Sequence, residues 1–479
     1  MDSLHSPAEQ TPAGAPTARR TGLILAVACL CQALVVLDTS VVNIALPKIG
    51  AALDFSAGSL SWVVNAYLLT FGGLLLLGGR IADLTGYRRA LLGGLALFGT
   101  ASALGGLAQT SGQLVAARAA QGAAAAVLAP IGLTIIMITF PQGPARARAI
   151  GVWAMVSAAG SALGVLAGGL LTEALNWRWV MFVNVPIVVV ALLLGAWTIT
   201  GGPAEGPRRL DVVGAVLATA GMTTLVYAMV QTEHHPWGSA RTLSLLGAAV
   251  LAGAAFLYWE ARVAAEPLVR LGVFANRTVS AAGLIALFVG AATVSGFYFA
   301  SLFVQRVWGY EPLKAGAAFL PFCAGVIAGS MFSGRLTARL GLRPVLTGGL
   351  LLGAGGMVWF GALEVGSGFV TGFAGPSLLA SAGLGACVVA STTLGTTAVR
   401  PGEAGLVSGL LNAGRQCGGS IGLAVVSTVA VSSTAAAATG DPRQALATGY
   451  DHAFLLTALL LAAAAVTTVL LVPGGRPES

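Results

Sequence analysis

The stretch GGRIADLTGYRR, Gly78 to Arg89, returns in diverged form as SGRLTARLGLRP, Ser333 to Pro344, and each copy lies between long apolar segments. Gly79, Arg80, Gly86 and Arg88 of the first copy have counterparts in Gly334, Arg335, Gly341 and Arg343, whereas Asp83 gives way to Ala338. A duplicated membrane half is the most economical source of such a pair. Repeats of this kind build the two bundles that rock about a central site in secondary transporters. The expected fold is therefore an all-α membrane protein of two related halves.

Composition points the same way. Of 479 residues, 56% are hydrophobic and only 9% charged, against about 25% charged in soluble domains. The formal charge of +8 is spread singly and in pairs between apolar runs, which argues against a nucleic-acid face. The five cysteines, Cys29, Cys31, Cys323, Cys387 and Cys417, all fall in apolar segments, where a thiol behaves as a small hydrophobe. No metal site is expected: His234 and His235 share an outer loop with no third ligand at a fixed spacing.

Apolar segments of about 20 residues are the length of spanning helices. Fourteen can be read, with cores near 22–44, 59–79, 90–109, 114–139, 148–171, 180–200, 211–231, 241–260, 278–300, 314–334, 344–364, 369–393, 404–431 and 452–472. With the N-terminus inside, the inner tails and loops hold 17 Lys and Arg and the outer loops 6, so the positive-inside rule favours an even helix count and two cytoplasmic termini. The loop copies then follow helices 2 and 10. Six-helix bundles are expected at 22–200 and 278–472, with a linker and two inserted helices at 201–277, and short cytoplasmic tails at 1–21, read as disordered, and 473–479.

An ionisable side chain deep in a membrane helix is costly and marks function by default. Asp38, in LVVLDTSVVNIALP, is the one acid placed well inside a span, and Arg118 and Arg415 are the two deep cations. Asp38 suits a proton-coupling group, or a structural acid paired with Arg118, and the two roles are compatible. Arg118 is expected to be its fixed counter-charge, because a guanidinium keeps its proton. In the loop, Gly79 and Gly86 permit a tight turn, and Asp83, Arg88 and Arg89 can latch two bundles on the inner side. Candidates for lining a substrate cavity are Asn43, Trp62, Asn65, Tyr67, Gln121, Phe297, Tyr298, Phe322, Asn412, Arg415 and Gln416.

With these residues in place the chain resembles the major facilitator superfamily, in particular its fourteen-helix drug:proton antiporter branch. The branch's first-helix signature, Leu-Asp-x-Thr-Val-Val-Asn-x-Ala-Leu-Pro, is met from Leu37 and Asp38 to Leu46 and Pro47, with Ser40 in place of a threonine. The superfamily loop motif is met by Gly79, Asp83, Gly86 and Arg88, with Tyr87 where a basic residue is usual. Arg118, Gln121 and Gly122 meet the fourth-helix Arg-x-x-Gln-Gly, and the resemblance implies that Arg118 takes part in proton transfer. Gly160, Gly164, Gly168 and Gly169 meet the fifth-helix antiporter motif, but Val165 replaces its proline. NWRWVMFVNVP, Asn176 to Pro186, is also family-like.

The resemblance implies a multi-pass exporter in a bacterial cytoplasmic membrane. It would be monomeric, with no cofactor beyond the proton-motive force, and its partners would be protons, the lipid bilayer and small hydrophobic or amphiphilic substrates such as antibiotics. Helix 10 lacks the acid that some relatives link to dicationic drugs, so neutral, anionic or singly charged substrates are expected. A dedicated metabolite exporter or an uncoupled facilitator is the alternative. An enzyme is not expected, since no second deep acid and no His or Cys pair at ligand spacing accompanies Asp38.

Overall fold

The computed structural model describes residues 18–56, 58–140, 144–199, 211–233, 235–399, 404–437 and 441–473. The expected tails up to residue 17 and from 474, the linker at 200–210, His234 and the side chains of Arg80 and Asp83 lie outside the described residues. The rest is helical. The N-terminal half comprises α1 (Ala18–Ala52), α2 (Trp62–Thr85), α3 (Tyr87–Gly106), α4 (Ser111–Thr139), α5 (Pro144–Ala174), the single turn α6 (Trp179–Phe182) and α7 (Asn184–Thr198). Two helices follow, α8 (Val212–Val230) and α9 (Ala240–Tyr258). The C-terminal half comprises α10 (Arg277–Leu302), the short α11 (Pro312–Ala318), α12 (Leu320–Leu340), α13 (Leu342–Phe360), α14 (Gly375–Thr397), α15 (Ala404–Ala436) and α16 (Pro442–Leu471).

Eleven of these segments are long and apolar enough to cross a membrane, and Ser59–Leu75 adds a shorter apolar helix. Their outer faces carry bare aliphatic and aromatic groups: Trp197, Val250, Leu251 and Leu470 are exposed. Apolar side chains presented over so many helices require hydrocarbon around them, and the protein is a multi-pass membrane protein.

The halves repeat one packing plan. In the first, α1 packs on α5, α2 on α4, and α3 on α4 and α7; in the second, α10 packs on α15, α12 on α14, and α13 on α14 and α16. The duplicated loop sits at the same joint in each. Gly86 closes α2 and opens α3 with φ 83°, and Gly341 closes α12 and opens α13 with φ 89°. Only glycine adopts this left-handed backbone freely, so the recurrence of glycine in the sequence is explained by the turn.

The arginine two residues on repeats as well. Arg88 Nη2 donates to the Ala196 carbonyl, 3.1 Å away, and Arg343 Nη2 to the Val469 carbonyl, 2.6 Å away. Both acceptors lie in the last turn of a helix, α7 or α16, where carbonyls lack intrahelical partners and the dipole favours a cation. Arg88 thereby ties α3 to α7 inside its own half. Arg89 is exposed. We call the side bearing Gly86 and Gly341 the basic side.

Two helix boundaries move outward. α16 begins ten residues before the expected core because the Asp441 side chain accepts from the Arg443 amide at 2.9 Å and Pro442 occupies the first position, a start that reads in sequence as a loop. Asp451 therefore belongs to a helix, and Glu260 likewise continues the span that runs Ala240–Val263. Asp38 is thus not alone among acids in apolar helices.

Candidate functional site

Asp38 is fully buried in the middle of α1 and is ringed by three donors from two other helices. Arg118 Nη1 of α4 reaches its Oδ2 at 2.5 Å; Gln121 Nε2 of α4 and Asn184 Nδ2 of α7 reach its Oδ1 at 3.1 and 2.8 Å. Arg118, 1% exposed, is itself held in place. Its Nε donates to the Val63 carbonyl at 3.0 Å, its Nη1 also meets Gln121 Oε1 at 2.9 Å, and its guanidinium lies over the Tyr67 ring, 4.5 Å from the centroid. Gln121 Nε2 further donates to Ser102 Oγ of α3 at 2.7 Å.

The chemistry of this cluster is one-sided. Three donors converge on Asp38, and each of its oxygens has at least one, so the arrangement suits a carboxylate and has no place for a carboxylic proton. A buried charge of this kind is tolerated only when paired and hydrogen-bonded. Adding a proton removes the attraction to Arg118 and introduces a donor where three donors already point. Asn184 Oδ1 has no partner, so rotation of that amide would offer the protonated acid an acceptor. One proton therefore rewrites contacts among α1, α4 and α7 together.

The glycines of α5 bring it against α1 beside Asp38. A Cβ at Gly164 would lie 2.7 Å from Ser40 Cβ, and one at Gly168 would lie 2.7 Å from the Val41 carbonyl oxygen. Gly160 is looser, near Val36 and Ala33. Gly169 faces the C-terminal half: a Cβ there would sit 2.5 Å from the Pro312 carbonyl oxygen of α11. Gly316 of α11 rests in turn on the backbone of Val165, so the residue that replaces the motif's proline lies at a contact between halves.

Other contacts between the halves lie away from the basic side. Lys48 pairs with Glu311 at 3.7 Å, Glu173 Oε2 accepts from the Leu313 amide at 2.9 Å, and Ser301 Oγ donates to the Asn43 carbonyl at 3.0 Å. Ser420 Oγ of α15 donates to Asn65 Oδ1 of α2 at 3.1 Å. Among the expected cavity residues, Asn43 spends its side chain on the Thr39 carbonyl, and Trp62 packs on Tyr227 of α8, with ring centroids 6.2 Å apart. Phe297 packs against Phe319 and Phe322 with ring centroids 4.6 and 5.6 Å away, tilted to the first and edge-on to the second, while Tyr298 lines a separate cleft among α10, α15 and α16. Arg415 bonds Thr392 Oγ1 at 3.2 Å and Asn412 Oδ1 at 3.5 Å and has no carboxylate partner among the described residues; Gln416 packs against Gly72 of α2. The described residues include no cluster of three or more His, Cys, Asp or Glu able to hold a metal.

Residues 28–423 match the Major Facilitator Superfamily. The chain belongs to that superfamily. It is 42% identical over 445 residues to the cephamycin export protein CmcT of Amycolatopsis lactamdurans, covering 92% of this chain and 90% of that one. It is 39% identical over 435 residues to the puromycin resistance protein pur8 of Streptomyces alboniger, covering 90% and 86%. In fold it resembles a superfamily structure, the bacterial homologue of the human lysosomal transporter Spinster in an inward-facing and unoccupied conformation (TM-score 0.66, 18% identity, 95% and 97% covered).

Asn184 and Ser102 are the site residues that sequence reading missed. Asn184 lies in the family-like stretch Asn176 to Pro186, and its position at the start of an apolar helix was the available signal. Ser102, a small hydroxyl in an alanine-rich helix, gave none.

Proposed function

We propose that the protein is a proton-coupled exporter of hydrophobic or amphiphilic antibiotics across a bacterial cytoplasmic membrane. Asp38 is the group that alternately carries the coupling proton and the Arg118 contact. The observation that carries this reading is the fully buried Asp38 with its three donors from α4 and α7, Arg118 among them, a negative charge that one proton neutralises. The relatives described as exporting cephamycin and conferring puromycin resistance supply the substrate class.

In this reading all fourteen long helices span the bilayer and the basic side, with both termini, faces the cytoplasm. The contacts between halves on the far side close the outer entrance, which makes the structure inward-facing with Asp38 deprotonated. Substrate enters from the cytoplasm; after reorientation a proton from outside loads Asp38, loosens its hold on α4 and α7, and returns to the cytoplasm in the next cycle. Arg415 supplies a cation without an acidic partner, and helix α12 carries no acid, so neutral or anionic amphiphiles fit better than dications. One proton moving through about 100 mV contributes roughly 2.3 kcal/mol, enough for a gradient of about fiftyfold in a neutral substrate.

Efflux of a panel of lipophilic dyes and antibiotics from cells expressing the wild type and Asp38→Asn, each with and without a protonophore, tests the proposal. Concentrative export by the wild type alone, abolished by the protonophore, is expected. Equal and protonophore-insensitive flux in both would make the protein a facilitator.

A further inference from the structure

A second acid pair lies far from Asp38, at the basic-side end of the inserted helices. Asp211 caps the N-terminus of α8, and Glu260 follows α9. The two side chains are 9% and 5% exposed and converge over Gly214. One oxygen of each is engaged: Asp211 Oδ1 accepts from the Gly214 amide at 2.8 Å and Trp259 Nε1 at 2.7 Å, and Glu260 Oε2 accepts from the Val269 amide at 3.1 Å. The remaining oxygens, Asp211 Oδ2 and Glu260 Oε1, are buried, have no partner, and both point over Gly214, each 2.6 Å from where a Cβ there would stand.

Two bare carboxylates cannot be held this way, because each would face a like charge in a medium that screens poorly. Something with a positive charge must sit between them. Divalent cations demand about six oxygens, and among the described residues the unpartnered ones here are two, beside the apolar cluster of Ala215, Phe256, Leu268 and Val269. Among the described residues Asp211 is the charged side chain acting on Glu260, and no described arginine pairs with either acid. Leu74 and Leu77 of α2 and Leu410 of α15 pack on this apolar cluster.

We propose that Asp211 and Glu260 form a second proton-binding site, in which one shared proton bridges Asp211 Oδ2 and Glu260 Oε1. The proton supplies the single donor that both oxygens lack. It also fastens α8 to the end of α9 and, through the Val269 amide, to the segment that leads into α10. Because α8 packs on both α2 and α15, the site lies where the insert touches each half. Loss of the proton would drive the acids apart and release the insert from that joint, so the site would sense pH on the basic side. This inference does not depend on what Asp38 does.

The test is infrared spectroscopy of the full chain in lipid nanodiscs at neutral pH, comparing the wild type with Glu260→Gln and with Asp211→Asn. Each amide can donate the hydrogen bond that the proton now makes, so both variants are expected to fold. Both difference spectra should show loss of the carbonyl stretch of one protonated carboxyl per chain. Loss of ionised-carboxylate bands alone would overturn the proposal. So would failure of Glu260→Gln to fold, or stoichiometric calorimetric binding of magnesium or calcium ions that both variants abolish, which would make the pair a metal site.

Discussion

Asp38 and Arg118 can be recognised in sequence because a membrane helix has so few reasons to keep a charge, and an acid and a base each set deep in a span invite pairing. What could not be read is how completely the acid is engaged. Asn184 and Ser102 are polar but uncharged, and nothing in the spacing of α3 or α7 says which way they face. The network predicts an asymmetric response to mutation. Arg118→Ala leaves a buried carboxylate without its cation and should cost about 3–5 kcal/mol, while Asn184→Ala removes one hydrogen bond to a charged group and should cost about 1.5–3 kcal/mol. Adding Asp38→Asn to Arg118→Ala should recover part of the larger loss. Thermal unfolding of the detergent-solubilised proteins checks the ordering, and an Arg118→Ala protein as stable as the wild type would remove the pair from the account.

Helix by helix, the sequence spoke most clearly where backbone geometry is special. Of the loop glycines expected to permit a tight turn, Gly86 and its counterpart Gly341 make one with positive φ at equivalent joints, whereas Gly79 lies inside α2. The partners of Arg88 and Arg343 were not legible, since a carbonyl at a helix end can come from any neighbour once the chain has folded. The start of α16 was hidden for a related reason: a polar cap and a proline look like loop until the helix they begin is seen. The glycines of α5 have a consequence that belongs to this scale. Gly169→Leu would force a side chain against Pro312 and Leu313 of α11, where the halves meet away from the basic side. The variant should fold and reach the membrane yet lose export at least tenfold, with Cys introduced at Lys48 reacting faster with a membrane-impermeant thiol reagent. Unchanged export would show that this contact does not form during transport.

The whole molecule was the most predictable level. A duplicated loop and a succession of apolar segments lead to an all-helical major facilitator fold, and the described helices and the family match agree with it. The conformation was not predictable, because the same sequence must support every state of a transport cycle. The Asn65 to Ser420 contact gives a direct handle on it. In a background where the five native cysteines are replaced, a disulfide between cysteines at positions 65 and 420 should form readily and reduce export to background, with reductant restoring it. Full export by the cross-linked protein would mean that α2 and α15 do not separate.

The measurement that reaches the central claim most directly is coupled flux in proteoliposomes. With purified protein in vesicles carrying a pH-sensitive dye, addition of an amphiphilic antibiotic substrate on the side bearing Gly86 and Gly341 should move protons in the opposite direction through the wild type. Asp38→Asn should bind the same substrate and move none. Equal substrate flux without proton movement in both proteins, or undiminished proton movement in Asp38→Asn, would contradict the assignment of Asp38 as the coupling group.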